Sequence, residues 1–181
     1  RAEPATPEGA AAIAKTYAAY VSQAALDKGI VTVTPEGEDY VVAWDLPKAL
    51  AALEAPAGVV KTAPFVYRIT PTLNGGWLVR ANALPDVTVG PTGEGGRERG
   101  GVAFDGFRLD GLYDPAASDF FLGKLGLKGL KLDVTAKSGG ELQHFALTQS
   151  ATAGDLRIRA GAEPDSVDVR ANQSALAAEQ K

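Results

Sequence analysis

The stretch FVYRITPTLNGGWLVRA, residues 65–81, decides the fold that we predict for this chain. Apolar side chains alternate with others in both of its halves: Phe65, Tyr67 and Ile69, then Trp77, Val79 and Ala81. A period of two is typical of strands that bury one face. Asn74, Gly75 and Gly76 lie between the halves and can supply the positive φ angles that a tight turn needs. The stretch therefore predicts a β-hairpin.

A second hairpin is predicted earlier in the chain, at residues 30–45. Its two strands flank a Pro-Glu-Gly turn, and both hairpins place Thr-Pro before the turn and Leu-Pro after it. An internal duplication would explain this likeness, and so would independent convergence on the same hairpin chemistry. Both hypotheses stay open, and in either case the sheet is predicted to grow by antiparallel addition.

Helical signals lie before and between the two hairpins. Residues 7–28 carry a narrow apolar stripe with Thr6 as the N-cap and Gly29 as the stop, after a flexible start at residues 1–5. Leu46, Leu50 and Leu53 share one face of a predicted short helix bounded by Asp45 and Pro56. We expect the long helix to pack on the sheet.

The second half of the chain predicts further strands. They lie at 102–113, 127–136, 141–149, 154–160 and 166–171, and the six glycines of residues 90–101 predict a mobile loop before them. Residues 172–181 resemble the beginning of a helix or a linker, so the natural chain is expected to continue. The predicted fold is α+β and mainly β, with one domain over residues 1–181. Residues 30–171 are expected to form a curved antiparallel meander sheet, which becomes a half-barrel if the curvature is strong.

Composition restricts the function classes. The net charge of −4 disfavours a nucleic-acid partner, and no apolar run is long enough to span a bilayer. Without Cys, and with a single His, a zinc site lacks its usual ligands, so we expect no metal and no cofactor. The chain begins at Arg1 and contains no Met, which indicates removal of the start residue, and we expect that a signal peptide was removed with it. We therefore expect a periplasmic or otherwise exported protein.

Candidate catalytic groups are few. Asp105, Asp110 and Asp114 cluster in GVAFDGFRLDGLYDP, residues 101–115, but each has a structural explanation. The apolar phase changes at Asp105-Gly106, which predicts a β-bulge; Asp110 lies on the solvent face; Asp114 would cap a short helix. We interpret His144 as a strand residue, although a hydrolase that uses it or scattered carboxylates stays a minor alternative. An enzyme is the less favoured class.

The most unusual segment is FFLGKLGLKGLKL, residues 120–132, in which Gly recurs at every third position among Leu and Lys. Three glycines make it a poor helix. As a strand it changes phase at Lys128-Gly129. The alternative is an apolar flap with a rim of lysines that touches a lipid or a partner protein.

The hairpin sequences and FRLDGLYDPAASDFF resemble uncharacterised exported β-rich envelope proteins of Gram-negative bacteria, through long hairpins and the GLYDP motif of residues 111–115. That family implies no catalytic residues. The predicted architecture is also similar to periplasmic lipid and lipoprotein carriers, in which a curved half-barrel and helices enclose an apolar cavity. By that similarity the ligand wall would contain Tyr40, Trp44, Phe65, Tyr67, Trp77, Phe120, Phe121 and Leu125.

Two functions follow from these patterns. The first is non-catalytic binding of an apolar ligand, a lipid or an acyl chain, with residues 90–101 and 120–132 moving to admit it. The second is a structural or accessory domain that docks a protein partner through strand edges and the Leu-rich segment. The same aromatic residues would form a plain core in the second case, and the oligomeric state is left open.

Overall fold

A computed structural model describes residues 4–54, 58–92, 94–114, 119–160 and 167–180. Eleven strands in this part of the chain form one strongly curled antiparallel sheet, a half-barrel, which confirms the predicted fold class. The helices are α1 (Pro7–Val21), α2 (Gln23–Asp27) and α3 (Leu46–Ala52). The strands are β1 (Val31–Glu36), β2 (Asp39–Trp44), β3 (Val60–Lys61), β4 (Phe65–Pro71), β5 (Trp77–Ala81), β6 (Val87–Thr92), β7 (Glu98–Asp105), β8 (Arg108–Asp114), β9 (Asp119–Ser138), β10 (Glu141–Ala160) and β11 (Val167–Gln180).

The predicted N-terminal helix is present but consists of two pieces. The Thr6 hydroxyl accepts a hydrogen bond from the Gly9 N–H at 3.0 Å, which confirms the predicted cap. The helix breaks at Ser22, whose φ of 74° and ψ of 153° lie outside the helical region. The prediction of one continuous helix over residues 7–28 is therefore wrong at Ser22, although Gln23–Asp27 is helical again. Helix α1 buries Ala10, Ile13 and Tyr17 against the sheet.

Both predicted hairpins are confirmed and lie side by side. Strand β1 pairs with β2, β2 with β4, and β4 with β5, all antiparallel. Of the three predicted turn residues only Gly75 has a positive φ, 80°. The core is the face that these strands turn toward α1: Val31, Tyr40, Val42, Tyr67, Ile69, Trp77, Val79 and Ala81. The alternation in the sequence thus correctly separates the two faces of the sheet.

The short helix α3 connects the two hairpins. The Asp45 carboxylate accepts a hydrogen bond from the Lys48 N–H at 2.9 Å and caps it, as predicted. Its expected apolar face is not buried, since Leu46 is 44% exposed and Leu53 is 78% exposed. The predicted boundary at Pro56 lies outside the described residues.

The glycine-rich stretch predicted as a mobile loop is instead a hairpin. Strands β6 and β7 occupy most of residues 90–101 and pair antiparallel, with a short 3₁₀ turn at Glu94–Gly96 between them. Glycine lowers strand propensity, but here it permits close approach: a Cβ on Gly90 would lie 2.6 Å from the carbonyl oxygen of Glu98. The prediction of a loop failed because it relied on the glycine content alone and could not include the pairing with the partner strand.

The Leu-rich segment forms the first part of β9, which confirms the strand interpretation and excludes a flap. One edge of β9 pairs with β10; the other pairs first with β8 and then with β7. The two predicted phase changes face each other, because Asp105 pairs with Gly129 and Arg108 with Gly126. Two residues lie between these partners on each strand, so there is no extra residue and the bulge predicted at Asp105-Gly106 is wrong. The register shift lies between Asp110 and Leu112 instead.

Two predictions about the end of the chain also need correction. Strand β10 runs without the break expected after residue 149, and residues 172–180 belong to β11 rather than to a helix or linker. The helix that Asp114 would cap falls partly on residues 115–118, outside the described residues. Asp114 itself pairs with Asp119 across a β8–β9 hairpin. Ala5, in the predicted flexible start, donates a backbone hydrogen bond to Gly37 at 2.9 Å.

Candidate ligand-binding groove

An apolar groove of about 630 Å³ lies between α1 and the concave face of the sheet. We call it the inner groove. Three parts of the fold supply its lining: α1, the hairpin strands with β8, and the long strands β9–β11. The lining residues are Tyr17, Tyr20, Val21, Trp44, Phe65, Tyr67, Val79, Leu84, Phe107, Leu109, Leu125, Ile158 and Val169. Its volume lies within the roughly 300–1,000 Å³ of small-molecule sites.

The floor of the inner groove is formed by Tyr17, Trp44 and Tyr67, whose polar side-chain atoms are hydrogen-bonded to one another. Trp44 Nε1 donates to Tyr67 Oη at 3.1 Å, and Tyr67 Oη donates to Tyr17 Oη at 2.6 Å. Buried hydroxyl groups without partners are costly, so this relay is what allows two tyrosines to line an apolar space. The rings of Tyr17 and Trp44 also meet edge to face, with centroids 6.2 Å apart.

Both floor tyrosines are held in the neutral form. Burial raises the pKa of Tyr67 to about 12, although its hydrogen bonds with Tyr17 and Trp44 act in the opposite direction. Burial also raises the pKa of Tyr17 well above its ordinary value, and the neighbouring Tyr67 adds to that effect. The floor therefore carries no charge at physiological pH, and an uncharged ligand meets no electrostatic penalty there.

A smaller groove of about 320 Å³ adjoins the inner groove, and we call it the outer groove. Trp44, Phe65 and Leu84 line both grooves and separate them. Beyond these three side chains the outer groove reaches the N-terminal end of α3 and strand β7. Its remaining lining residues are Ile30, Asp45, Leu46, Ala49, Thr62, Ala63, Pro85, Val87 and Phe104. Rotation of Trp44 or Phe65 would join the two spaces into one elongated channel.

Of the eight residues predicted to contact a ligand, the six whose side chains the structure describes lie in three different places. Trp44, Phe65, Tyr67 and Leu125 line the inner groove. Tyr40 lies under α1, where its hydroxyl accepts from the Thr6 N–H at 3.2 Å. Trp77 stacks on Tyr113 at 4.3 Å between ring centroids, within the core. The side chains of Phe120 and Phe121 lie outside the described part of the structure.

Several lining residues were not singled out by the sequence. In the sequence, Tyr17 and Tyr20 lie on the apolar stripe of the first helix and Phe107 and Leu109 on an apolar strand face, a pattern that indicates a core role alone. Ile158 and Val169 pair across β10 and β11 and join the groove through tertiary contacts alone. No local pattern could have indicated that such distant strands curl back toward α1.

Candidate catalytic groups lie apart from the groove. His144 is on β10, as predicted for a strand residue, and its Nε2 lies 2.9 Å from Asp133 Oδ2 on an exposed surface. Asp110 binds arginines on the convex face of the sheet. Within the described ranges no three His, Cys, Asp or Glu side chains come together as metal ligands. The helices in those ranges are all too short or too polar to cross a bilayer.

Comparison of the sequence with family models and curated proteins, and of the structure with solved structures, finds no match. The candidate function therefore rests on the chemistry of the grooves alone.

Proposed function

We propose that the protein is a non-catalytic binding protein that holds an apolar ligand, a lipid or an acyl chain, in the inner groove. The observation that carries the proposal is the lining. Side chains from helix, hairpins and distant strands converge on an open apolar space whose few polar atoms already bond to one another. Displacement of water from such a space by a hydrocarbon lowers the free energy of the system.

The size of that gain indicates the class of ligand. Each buried methylene contributes about 0.8 kcal/mol, so about six of them supply roughly 5 kcal/mol. Association itself costs about 4–15 kcal/mol, and a short chain would hardly offset it. A chain of a dozen or more carbons would contribute roughly 10 kcal/mol, which is of the same order as that cost. Affinity should therefore rise with chain length.

Entry by movement of residues 90–101 and 120–132, the route expected from the sequence, has no support because both segments are paired strands. The proposed entry is the rim of the half-barrel near Val169, which lines the groove and is 60% exposed. Half-buried Trp44, Phe65 and Leu84 form the inner end of that route.

The two tryptophans allow a direct test. Trp44 lines both grooves, whereas Trp77 lies in the core against Tyr113. A long-chain fatty acid brominated on its chain quenches a tryptophan that it contacts. It should quench the wild-type protein strongly and a Trp44→Phe variant only weakly. Equal quenching in the two proteins, or none in the wild type, would contradict the proposal.

A charge placed in the groove wall provides the second half of the test. Leu125→Arg puts a cation against the ligand, and Leu142→Arg puts the same cation on the exposed far part of β10. Quenching should disappear in the first variant and persist in the second. Circular dichroism of both variants establishes that they are folded.

A second candidate function is docking of a protein partner by strand addition. The specific observation is β11, which in the described part of the chain pairs only with β10 along its fourteen residues. Its other edge can accept a partner strand. The Leu-rich part of β9, in contrast, is paired on both edges and offers no edge for docking. A protein complex isolated from the natural source, without bound lipid, would favour this function over the first.

A further inference from the structure

A third groove, of about 650 Å³, lies where β5, β8 and β9 meet and is lined by Arg80, Asn82, Gly106, Phe107, Arg108, Asp110 and Lys128. Arg80 pairs with Asp110 in register, so their side chains share one face of the sheet. Their chain neighbours Val79 and Leu109 are buried in the core. The groove is therefore on the convex face, opposite the inner groove, and we call it the cationic groove.

Positive charge exceeds negative charge in the cationic groove. The Asp110 carboxylate lies 2.6 Å from Arg108 Nε and 3.9 Å from Arg80 Nε, so two guanidinium groups share one carboxylate. Lys128 has no carboxylate oxygen within 4 Å among the described residues, and Lys124 is a further cation directly across from Asp110 in the register. This concentration of cations occurs in a chain whose net charge is −4.

Of two glycines at this groove, Gly106 is covered by a lysine stem and Gly126 faces open space. Gly106 has a φ of +60°, and a Cβ there would lie 2.4 Å from Lys128 Cδ, so the lysine stem crosses the strand over the glycine. Gly126 pairs with Arg108, and a Cβ there would meet nothing within 4 Å. The absence of a side chain at Gly126, part of the unusual glycine spacing of β9, leaves open space next to Arg108, which lines the groove.

We propose that the cationic groove binds a phosphoryl group. A guanidinium group presents several N–H donors in a plane that matches phosphate oxygens, and a lysine adds a mobile point charge. Arg80 and Arg108 both face Asp110 through Nε, which orients them side by side. The Asn82 amide adds an uncharged donor to the lining. A phosphorylated small molecule and a phospholipid head group share this chemistry.

Isothermal titration calorimetry of the full chain at low salt tests the proposal, with pyrophosphate as the soluble probe. Flotation with phosphatidylglycerol vesicles, and with phosphatidylcholine vesicles as the uncharged control, tests the lipid source. Pyrophosphate binding should weaken about five- to tenfold in Arg108→Gln and in Lys128→Gln, the size expected for one exposed charge-assisted contact. Lys15→Gln removes an equal charge from the exposed side of α1 and should have no effect.

Gly126→Val tests the space rather than the charge. Valine suits a strand, and the site is open, so the variant should fold while its side chain fills the place beside Arg108. We expect it to weaken pyrophosphate binding as much as the charge variants do. Binding of pyrophosphate supports a soluble phosphorylated ligand, and binding of anionic vesicles alone supports a lipid head group. No binding of either probe, or an equal loss in Lys15→Gln, would overturn the proposal.

Discussion

Replacing Tyr67 by Phe removes the central member of the relay on the groove floor. The Tyr67 hydroxyl accepts from Trp44 Nε1 at 3.1 Å and donates to Tyr17 Oη at 2.6 Å, so one oxygen atom takes part in two hydrogen bonds. Each buried hydrogen bond contributes about 1 kcal/mol net, and an abandoned buried partner costs about 1–3 kcal/mol. We expect Tyr67→Phe to lower the free energy of unfolding by about 2 kcal/mol. For a chain of this size that corresponds to a fall in Tm of about 4–8 °C.

Urea unfolding followed by tryptophan fluorescence measures this change. Tyr40→Phe is the matched control: its hydroxyl accepts a hydrogen bond from the Thr6 N–H at 3.2 Å, and the loss of this bond should cost about 1 kcal/mol. A double-mutant cycle of Tyr17→Phe with Tyr67→Phe should give a coupling of about 1 kcal/mol. A loss below about 0.5 kcal/mol in Tyr67→Phe, or strict additivity in the cycle, would refute the relay.

Three further predictions concern pH and backbone geometry. Because burial raises the pKa of Tyr67 to about 12 and that of Tyr17 in the same direction, the folded protein keeps protons that the unfolded chain loses first. The free energy of unfolding should therefore fall between about pH 10 and 12, by about 1.4 kcal/mol per pH unit for each tyrosine. Urea unfolding at a series of pH values measures this, and a constant free energy of unfolding across the range would be inconsistent with buried phenols. Gly9→Ala should destabilise α1, although Ala is the better helix former by about 1 kcal/mol, because the new Cβ would lie 1.9 Å from Tyr40 Oη. Thermal unfolding should show a lower Tm, with partial recovery in a Tyr40→Phe background. A raised Tm in the single variant would disprove the contact. Ser22→Gly should raise the free energy of unfolding by about 1 kcal/mol, since the φ of 74° and ψ of 153° at this position suit glycine alone. A lower Tm would show that the Ser22 side chain compensates for the backbone strain.

The hairpins, the caps and the buried face of the first half were predictable because their causes are local. Alternation around a turn determines β1–β2 and β4–β5, and Thr6 and Asp45 satisfy N–H groups three residues away. The glycine-rich stretch at residues 90–101 was mispredicted for the opposite reason. It has low strand propensity, and its pairing with other strands outweighs that propensity.

The candidate site was only half predictable for the same physical reason. Aromatic residues on the hairpin faces were visible in the sequence, but alternation cannot tell a groove wall from a filled core. Trp44 and Tyr67 line open space while Trp77 is covered by Tyr113 and Tyr17. What separates them is the curl of the sheet, which depends on contacts among all eleven strands. The phase changes at Asp105-Gly106 and Lys128-Gly129 could be located in the sequence, but the pairing of these two sites across β7 and β9 could not.

The central claim is that the inner groove holds an apolar ligand, and native mass spectrometry of protein purified from its natural source without detergent tests it most directly. The account predicts a reproducible extra mass that organic extraction removes, absent from Leu125→Arg and retained by Leu142→Arg. A bare chain in all three preparations, or an adduct that Leu125→Arg keeps, would contradict it.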